Sequence, residues 1–152
     1  MTQSERLSGT QRAGLGSTAA RASITAGATL GALAVIVGAF AAHALRARLA
    51  PESLAIVDTG ARYQLIHALA LVAIGLIQAI WPSRTTVIAA CCMGAGVLLF
   101  SGSLYALALG APRMLGMVTP VGGLLLISGW VMTAVAAWRA IPATGRPDSL
   151  KH

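Results

Sequence analysis

A chain of 152 residues that is 57% hydrophobic, only 10% charged and at a mean hydropathy of +0.78 cannot dress its surface for water, since soluble domains carry about 25% charged residues. Its net charge of +7 comes from eleven basic against four acidic residues, a balance that on a soluble domain would point to nucleic acid. Here the basic residues flank apolar runs and no basic stripe with interleaved aromatics exists. Nucleic acid is therefore excluded as a partner, and the charge reads as topology signal and attraction to anionic headgroups.

Residues 1–22 are rich in Ser, Thr, Gly and Arg without apolar periodicity and read as a flexible polar N-terminal tail. Beyond them, residues 24–45, 65–80, 86–109 and 121–138 contain no Asp, Glu, Lys or Arg. A spanning helix needs about 20 apolar residues. The second run reaches that length by recruiting residues 61–64, with Arg62 stretched out to the headgroups. The expected fold is all-α: four transmembrane helices over residues 23–45, 62–81, 85–109 and 120–139 in an up-down antiparallel bundle, closed by a polar C-terminal tail over 140–152. A soluble bundle would need a polar face that these helices lack. Ala42-His43-Ala44 fits a small-x-small signal cleavage pattern. The preceding polar segment is long, however, and the apolar run exceeds the usual 7–15 residues or so.

The first helix carries Gly27-x-x-x-Gly31, then Gly38 and Ala42 along nearly one stripe, which permits close helix approach in lipid. The connection over 46–60 holds Pro51, Glu52 and Asp58, with Leu54, Val57 and Ala61 at helical spacing. It predicts a short interfacial helix that starts at Pro51 and breaks at Thr59-Gly60, with Asp58 or Thr59 capping the second spanning helix. Trp81-Pro82 marks a bilayer boundary and a helix stop. Ser83-Arg84 makes a tight turn, so the second and third helices are antiparallel neighbours. The adjacent Cys91 and Cys92 lack CxxC spacing and read as small buried residues. Pro120 opens the fourth helix, where Gly122, Gly123 and Gly129 serve close packing.

The tails and the turn at Arg84 carry Arg6, Arg12, Arg21, Arg84, Arg139, Arg146 and Lys151, against Arg46, Arg48, Arg62 and Arg113 on the other side. The excess places both termini in the cytoplasm.

Polar side chains inside a membrane are costly and mark where function gathers. His43 ends the first helix; Arg62, Tyr63, Gln64 and His67 open the second; Ser101, Ser103 and Tyr105 lie toward the end of the third; Thr119 precedes the fourth. Up-down threading brings all of them to the membrane face of the 46–60 connection, so His43, Gln64, His67 and Tyr105 are expected to form one polar cluster. The other face offers mainly Trp81, Trp138 and arginines. Each polar residue also has a structural reading: a histidine bonded to a neighbouring helix, serines bonded back to the preceding turn. A metal site from the two histidines with Glu52 or Asp58 lacks HxxxH or HxxE spacing, so no metal and no cofactor is implied. Imidazoles exchange protons near neutral pH, so His43 and His67 also suit a proton-linked site. Hydrolysis through Ser101 or Ser103 lacks a GxSxG elbow.

Four segments carry a resemblance. Gly38-Ala39-Phe40-Ala41-Ala42-His43-Ala44-Leu45, Thr59-Gly60-Ala61-Arg62-Tyr63-Gln64-Leu65-Ile66-His67-Ala68-Leu69-Ala70, Leu99-Phe100-Ser101-Gly102-Ser103-Leu104-Tyr105 and Val118-Thr119-Pro120-Val121-Gly122-Gly123, with Gly129-Trp130 after it, occur in this order. They resemble the GAFGAH, TG-x-x-YQ-x-x-H-x-LA, LFSGSLY and VTPVGG segments of a family of small membrane proteins of unknown function (domain of unknown function 423). That family includes bacterial YgdD-type inner-membrane proteins and the animal transmembrane protein 256. Ala41 stands where the family often has Gly, and the polar tails are extended. The resemblance implies a four-helix protein of a bacterial cytoplasmic membrane, with no reaction, substrate or catalytic residue to carry over.

The sequence thus leads to a non-enzymatic membrane protein that binds a small ligand, lipid or partner helix at the polar end of its bundle. The alternative is a small transporter or proton-coupled exchanger acting as an oligomer. The expected partners are the lipid bilayer and other membrane proteins or copies of itself.

Overall fold

The computed structural model describes residues 3–140, with side chains from Thr18 onward. Its elements in chain order are α1 (Gln3–Phe40), continued by a π-helical turn (Ala41–Leu45), α2 (Pro51–Ile80), α3 (Arg84–Ala108), a 3₁₀ turn (Arg113–Met117) and α4 (Val118–Ala140). Four helical stretches, Thr18–Leu45, Pro51–Ile80, Arg84–Ala108 and Arg113–Ala140, are long and apolar enough to cross a membrane. The protein is an all-α membrane protein. Its outward side chains include Val35, Ile36, Leu69, Leu98, Leu124 and Ile127, all exposed, as acyl-chain surroundings permit and water does not.

Packing follows the threading. α1 lies on α2, α2 on α3 and α3 on α4, with only light contact between α1 and α3. The share of apolar window that is buried records the same order: 44% for α2 and 33% for α3, against 11% for α1 and 22% for α4. The middle is solid. Leu71 and Ile74 of α2, Ala89, Met93 and Val97 of α3 and Leu126 of α4 form one buried cluster.

Glycines set how closely the backbones approach. A Cβ on Gly27 would stand 2.9 Å from the Val72 backbone nitrogen, and one on Gly75 3.0 Å from that of Ile24. On the other seam, Gly96 meets Leu126, Gly122 meets the backbone of Phe100 and Gly129 meets Met93. In lipid, where the hydrophobic effect does not drive helices together, such van der Waals fit and interhelical hydrogen bonds supply the association.

Three expectations from sequence change here. Residues 3–22, expected as a flexible tail, carry helical backbone continuous with the first span. Ala20 and Ser23 are already buried, with Ala20 and Ile24 against Gly75 of α2. Residues 1–2 and the C-terminal tail over 141–152 lie outside the described residues. The interfacial helix expected to break at Thr59-Gly60 is instead the first part of an unbroken α2. Thr59 does not cap: its hydroxyl donates back to the Ala55 carbonyl at 2.9 Å, and Asp58 pairs with Arg62 one turn on at 2.8 Å. Pro51 fills the first helical position after Ala50, where its missing N–H is harmless. Finally, Cys91 is exposed and Cys92 half-buried, both as free thiols.

The turns are well specified. Ser83 and Thr86 form a capping box at the start of α3, satisfying two otherwise orphan groups. α3 ends on Gly110 at φ +93°, with Ala111 N–H donating to Ala106 O at 2.9 Å and Gly110 N–H to Leu107 O at 3.1 Å. That is a Schellman ending, which favours glycine at its left-handed position.

Candidate functional site

The polar end of the bundle is built around Gln64, 5% exposed in the membrane-spanning part of α2. Its Nε2 donates to the Leu30 carbonyl of α1 at 2.8 Å, and its Oε1 accepts from the Tyr105 hydroxyl of α3 at 2.9 Å. One amide thereby ties three helices. The Tyr105 ring reaches it because Gly60 lies beneath: a Cβ there would meet the ring at 2.7 Å. On the α3–α4 seam, Ser103 Oγ donates to the Phe100 carbonyl at 2.9 Å and shares a 2.7 Å hydrogen bond with the Thr119 hydroxyl.

His67 belongs to a different grouping. It is 6% exposed, and its Nδ1 lies 2.7 Å from the Tyr63 carbonyl oxygen. A carbonyl only accepts, so Nδ1 carries the proton, and Nε2 presents a lone pair whenever the ring is neutral. Tyr63 stacks on the imidazole at 5.7 Å and meets Phe100 at 4.7 Å. Trp130 of α4 approaches edge-on at 6.2 Å. Tyr63 and Trp130 are exposed on the outer surface. Counting along α2 at about 1.5 Å per residue puts His67 about 8 Å inward from Arg62, the charged residue at the headgroups, and about 20 Å from Ile80, so it lies one to two turns inside the polar end.

Of the expected cluster, Gln64 and Tyr105 bond directly, and His67 stands beside them with the aromatics. His43 stays apart: it sits in the π-helical turn, exposed and without a hydrogen-bond partner among the described residues. Arg62 is exposed and paired with Asp58. Ser101 Oγ is buried and unpartnered among the described residues. Of the candidate packing glycines, Gly27, Gly122 and Gly129 lie at tight crossings. Gly31 and Gly123 are in ordinary contact range of Ala68 and Phe100, while Gly38 meets nothing within 4 Å.

The opposite end holds a polar bridge besides Trp81, Trp138 and the arginines. Gln78, 1% exposed, accepts from the Ser23 hydroxyl of α1 at 2.9 Å and donates to the Thr86 carbonyl of α3 at 3.0 Å. It repeats the bridging role of Gln64 fourteen residues on, about 21 Å along the helix and on nearly the same face. The signals were present: a lone amide in an apolar run at a two-heptad spacing, and Ser83-x-x-Thr86 after a proline.

A family model described as "Protein of unknown function (DUF423)" matches residues 37–123. A "UPF0382 membrane protein" of Staphylococcus haemolyticus is 39% identical over 122 residues, covering 78% of this chain and 96% of the relative. This chain belongs to the DUF423 family. A "UPF0382 membrane protein" of Haemophilus influenzae is 38% identical over 117 residues, 77% of this chain and 94% of the relative. The "UPF0382 inner membrane protein YgdD" of Escherichia coli is 36% identical over 113 residues, 72% of this chain and 83% of the relative. No solved structure matches the chain. The family match starts before the π-helical turn and ends at Gly123, so it holds Gln64, His67, Tyr105 and Gln78 together.

Proposed function

We propose that this DUF423 protein is a non-enzymatic protein of the bacterial cytoplasmic membrane, with both termini in the cytoplasm, that binds a membrane-dissolved ligand at the polar end of its bundle. The ligand class is a small molecule or lipid carrying a hydrogen-bond donor. The observation that carries this reading is His67. Its Nδ1 is committed to the Tyr63 carbonyl, so the ring in its neutral form offers Nε2 as an acceptor, one to two turns inside the membrane between the exposed rings of Tyr63 and Trp130. A polar group at that depth is expensive unless it faces a partner. Gln64, Ser103 and Thr119 already satisfy one another or the backbone and serve as the frame. Catalysis finds little support in this geometry: Ser103 is bonded to Thr119 and Phe100, and nucleophilic chemistry asks for a base within reach. The packed centre from Leu71 to Val97 also weighs against a conduit through one copy, so exchange across the membrane would require an oligomer.

Mass spectrometry of protein released intact from native membranes tests the reading. The expected result is a small adduct on the parent chain that is lost in His67→Phe and kept in Leu124→Ala. Retention in His67→Phe would overturn it. A photo-crosslinker at Tyr63 that captures a protein helix instead of a small molecule would replace the ligand with a partner helix. Reporter fusions after residue 140 and within the Arg46–Arg48 connection should read as inside and outside respectively.

A further inference from the structure

The turn between α2 and α3 and the last turn of α4 enclose a half-open pocket of about 360 Å³, at the low end of the size range of ligand sites. Its wall is divided in chemistry. Ile77 and Ile80 belong to the spanning helix α2, while Trp81 and Ser83 lie in the turn after it, Thr85 at the start of α3 and Arg139 at the end of α4. The Ser83 hydroxyl is engaged with Thr86 in the helix cap. Thr85 and the Arg139 guanidinium make no hydrogen bond or ion pair among the described residues, where the single ion pair is Arg62–Asp58.

Among residues 18–140, charge at this end is one-sided. Arg21, two residues before the Ser23 that meets Gln78, lies at this level of α1. Arg84 starts α3 and Arg139 ends α4. All three are exposed. The carboxylates among residues 18–140, Glu52 and Asp58, both sit on the first half of α2 at the opposite end. Trp81 and the 87%-exposed Trp138 mark the level at which aromatic side chains settle between headgroups and acyl chains. A cation with no counter-ion among the described residues, beside an unengaged hydroxyl, over an apolar wall and at headgroup depth, is complementary to one membrane component.

We propose that this pocket is a binding site for the phosphate of an acidic glycerophospholipid, with Arg139 and Thr85 on the phosphate oxygens and the acyl chains running down past Ile77 and Ile80. A guanidinium presents several donors in a plane that matches phosphate oxygens. The apolar wall distinguishes a lipid from the free anion, which has nothing to place there. The site is separate from His67, so it stands whether or not a ligand binds at the other end.

The test reconstitutes the full chain in nanodiscs of mixed phosphatidylglycerol and phosphatidylcholine and counts the lipids retained after gentle release into the mass spectrometer. The parent chain should retain phosphatidylglycerol in preference to phosphatidylcholine. Arg139→Gln should lower that preference about fivefold, the effect of one basic residue at a headgroup, and Thr85→Val should lower it less. Arg113→Gln, at the other end of the bundle, should leave it unchanged. Both arginines lie at the exposed surface, so neither substitution threatens folding, and a melting temperature equal to the parent's verifies this. An equal loss from Arg139→Gln and Arg113→Gln would mean diffuse surface charge and overturn the site, as would an undiminished preference in Arg139→Gln. Displacement of the bound lipid by inorganic phosphate at equal concentration would overturn the lipid as its occupant.

Discussion

The two ends of the uncharged part of α2, from Tyr63 to Ile80, solve one problem in two ways. At each, a buried glutamine joins α1 to α3, and a glycine three or four residues before it lets a neighbour come close. Gln64 donates to α1 and accepts from α3, whereas Gln78 accepts from α1 and donates to α3. The glycines differ more. Gly60 makes room for a side chain, the Tyr105 ring, while Gly75 makes room for the α1 backbone at Ile24 and Ala20. A ring can swing aside and a helix backbone cannot. The Gly75/Gln78 end is therefore the rigid one, and the Gly60/Gln64 end the adjustable one, beside which the uncommitted face of His67 lies.

The comparison breaks first at the glycines. Gly75→Val should cost about 3 kcal/mol of stability in detergent, near the upper end for overpacking. Gly60→Val should cost about 1 kcal/mol through a displaced Tyr105 and the loss of one hydrogen bond. Both are read as midpoints of thermal or denaturant unfolding by circular dichroism, and equal losses would remove the distinction between the ends.

The glutamines sharpen it. Gln78→Leu leaves the Ser23 hydroxyl buried without its partner and should lower stability by about 1–2 kcal/mol. Gln64→Leu should lower it by about 1 kcal/mol, because the half-buried Tyr105 hydroxyl can turn to another acceptor. Hydrogen exchange across residues 18–30 should rise more in Gln78→Leu than in Gln64→Leu. The reverse order would make the polar end the anchor.

The smallest effect expected is at Ser101. Its hydroxyl is buried without a partner among the described residues, so Ser101→Ala removes a desolvated group and should be neutral or stabilising by up to about 1 kcal/mol. A loss above that in the unfolding midpoint would mean that Ser101 bonds to something at the polar end.

Much of this was legible from residue order alone. Four uncharged runs and their spacing determined the number and antiparallel threading of the spanning helices, because a bilayer core admits little else, while the helical extensions over 3–22 and 51–61 lay outside those runs. The threading in turn put Gln64, Tyr105, Ser103 and Thr119 at one membrane face. Helix rotation was beyond it: depth follows from counting residues, while facing follows from which surfaces pack. Gly27 therefore meets α2 and Gly38 meets nothing, although both lie near one stripe of the sequence, and His43 shares a level with the polar end without joining it. Thr59-Gly60 reads as a break by local propensity, yet the helix passes through it because the Tyr105 ring packs over Gly60. Gln78 stands out in the sequence as a lone amide in an apolar run, but its partners do not, since the Ser23 and Thr86 atoms are brought to it by a second and a third helix. In a membrane the sequence settles what must cross, because hydrocarbon tolerates no unpaired backbone. Tertiary packing alone decides which polar side chains are spent on holding the helices together and which are left to face something else.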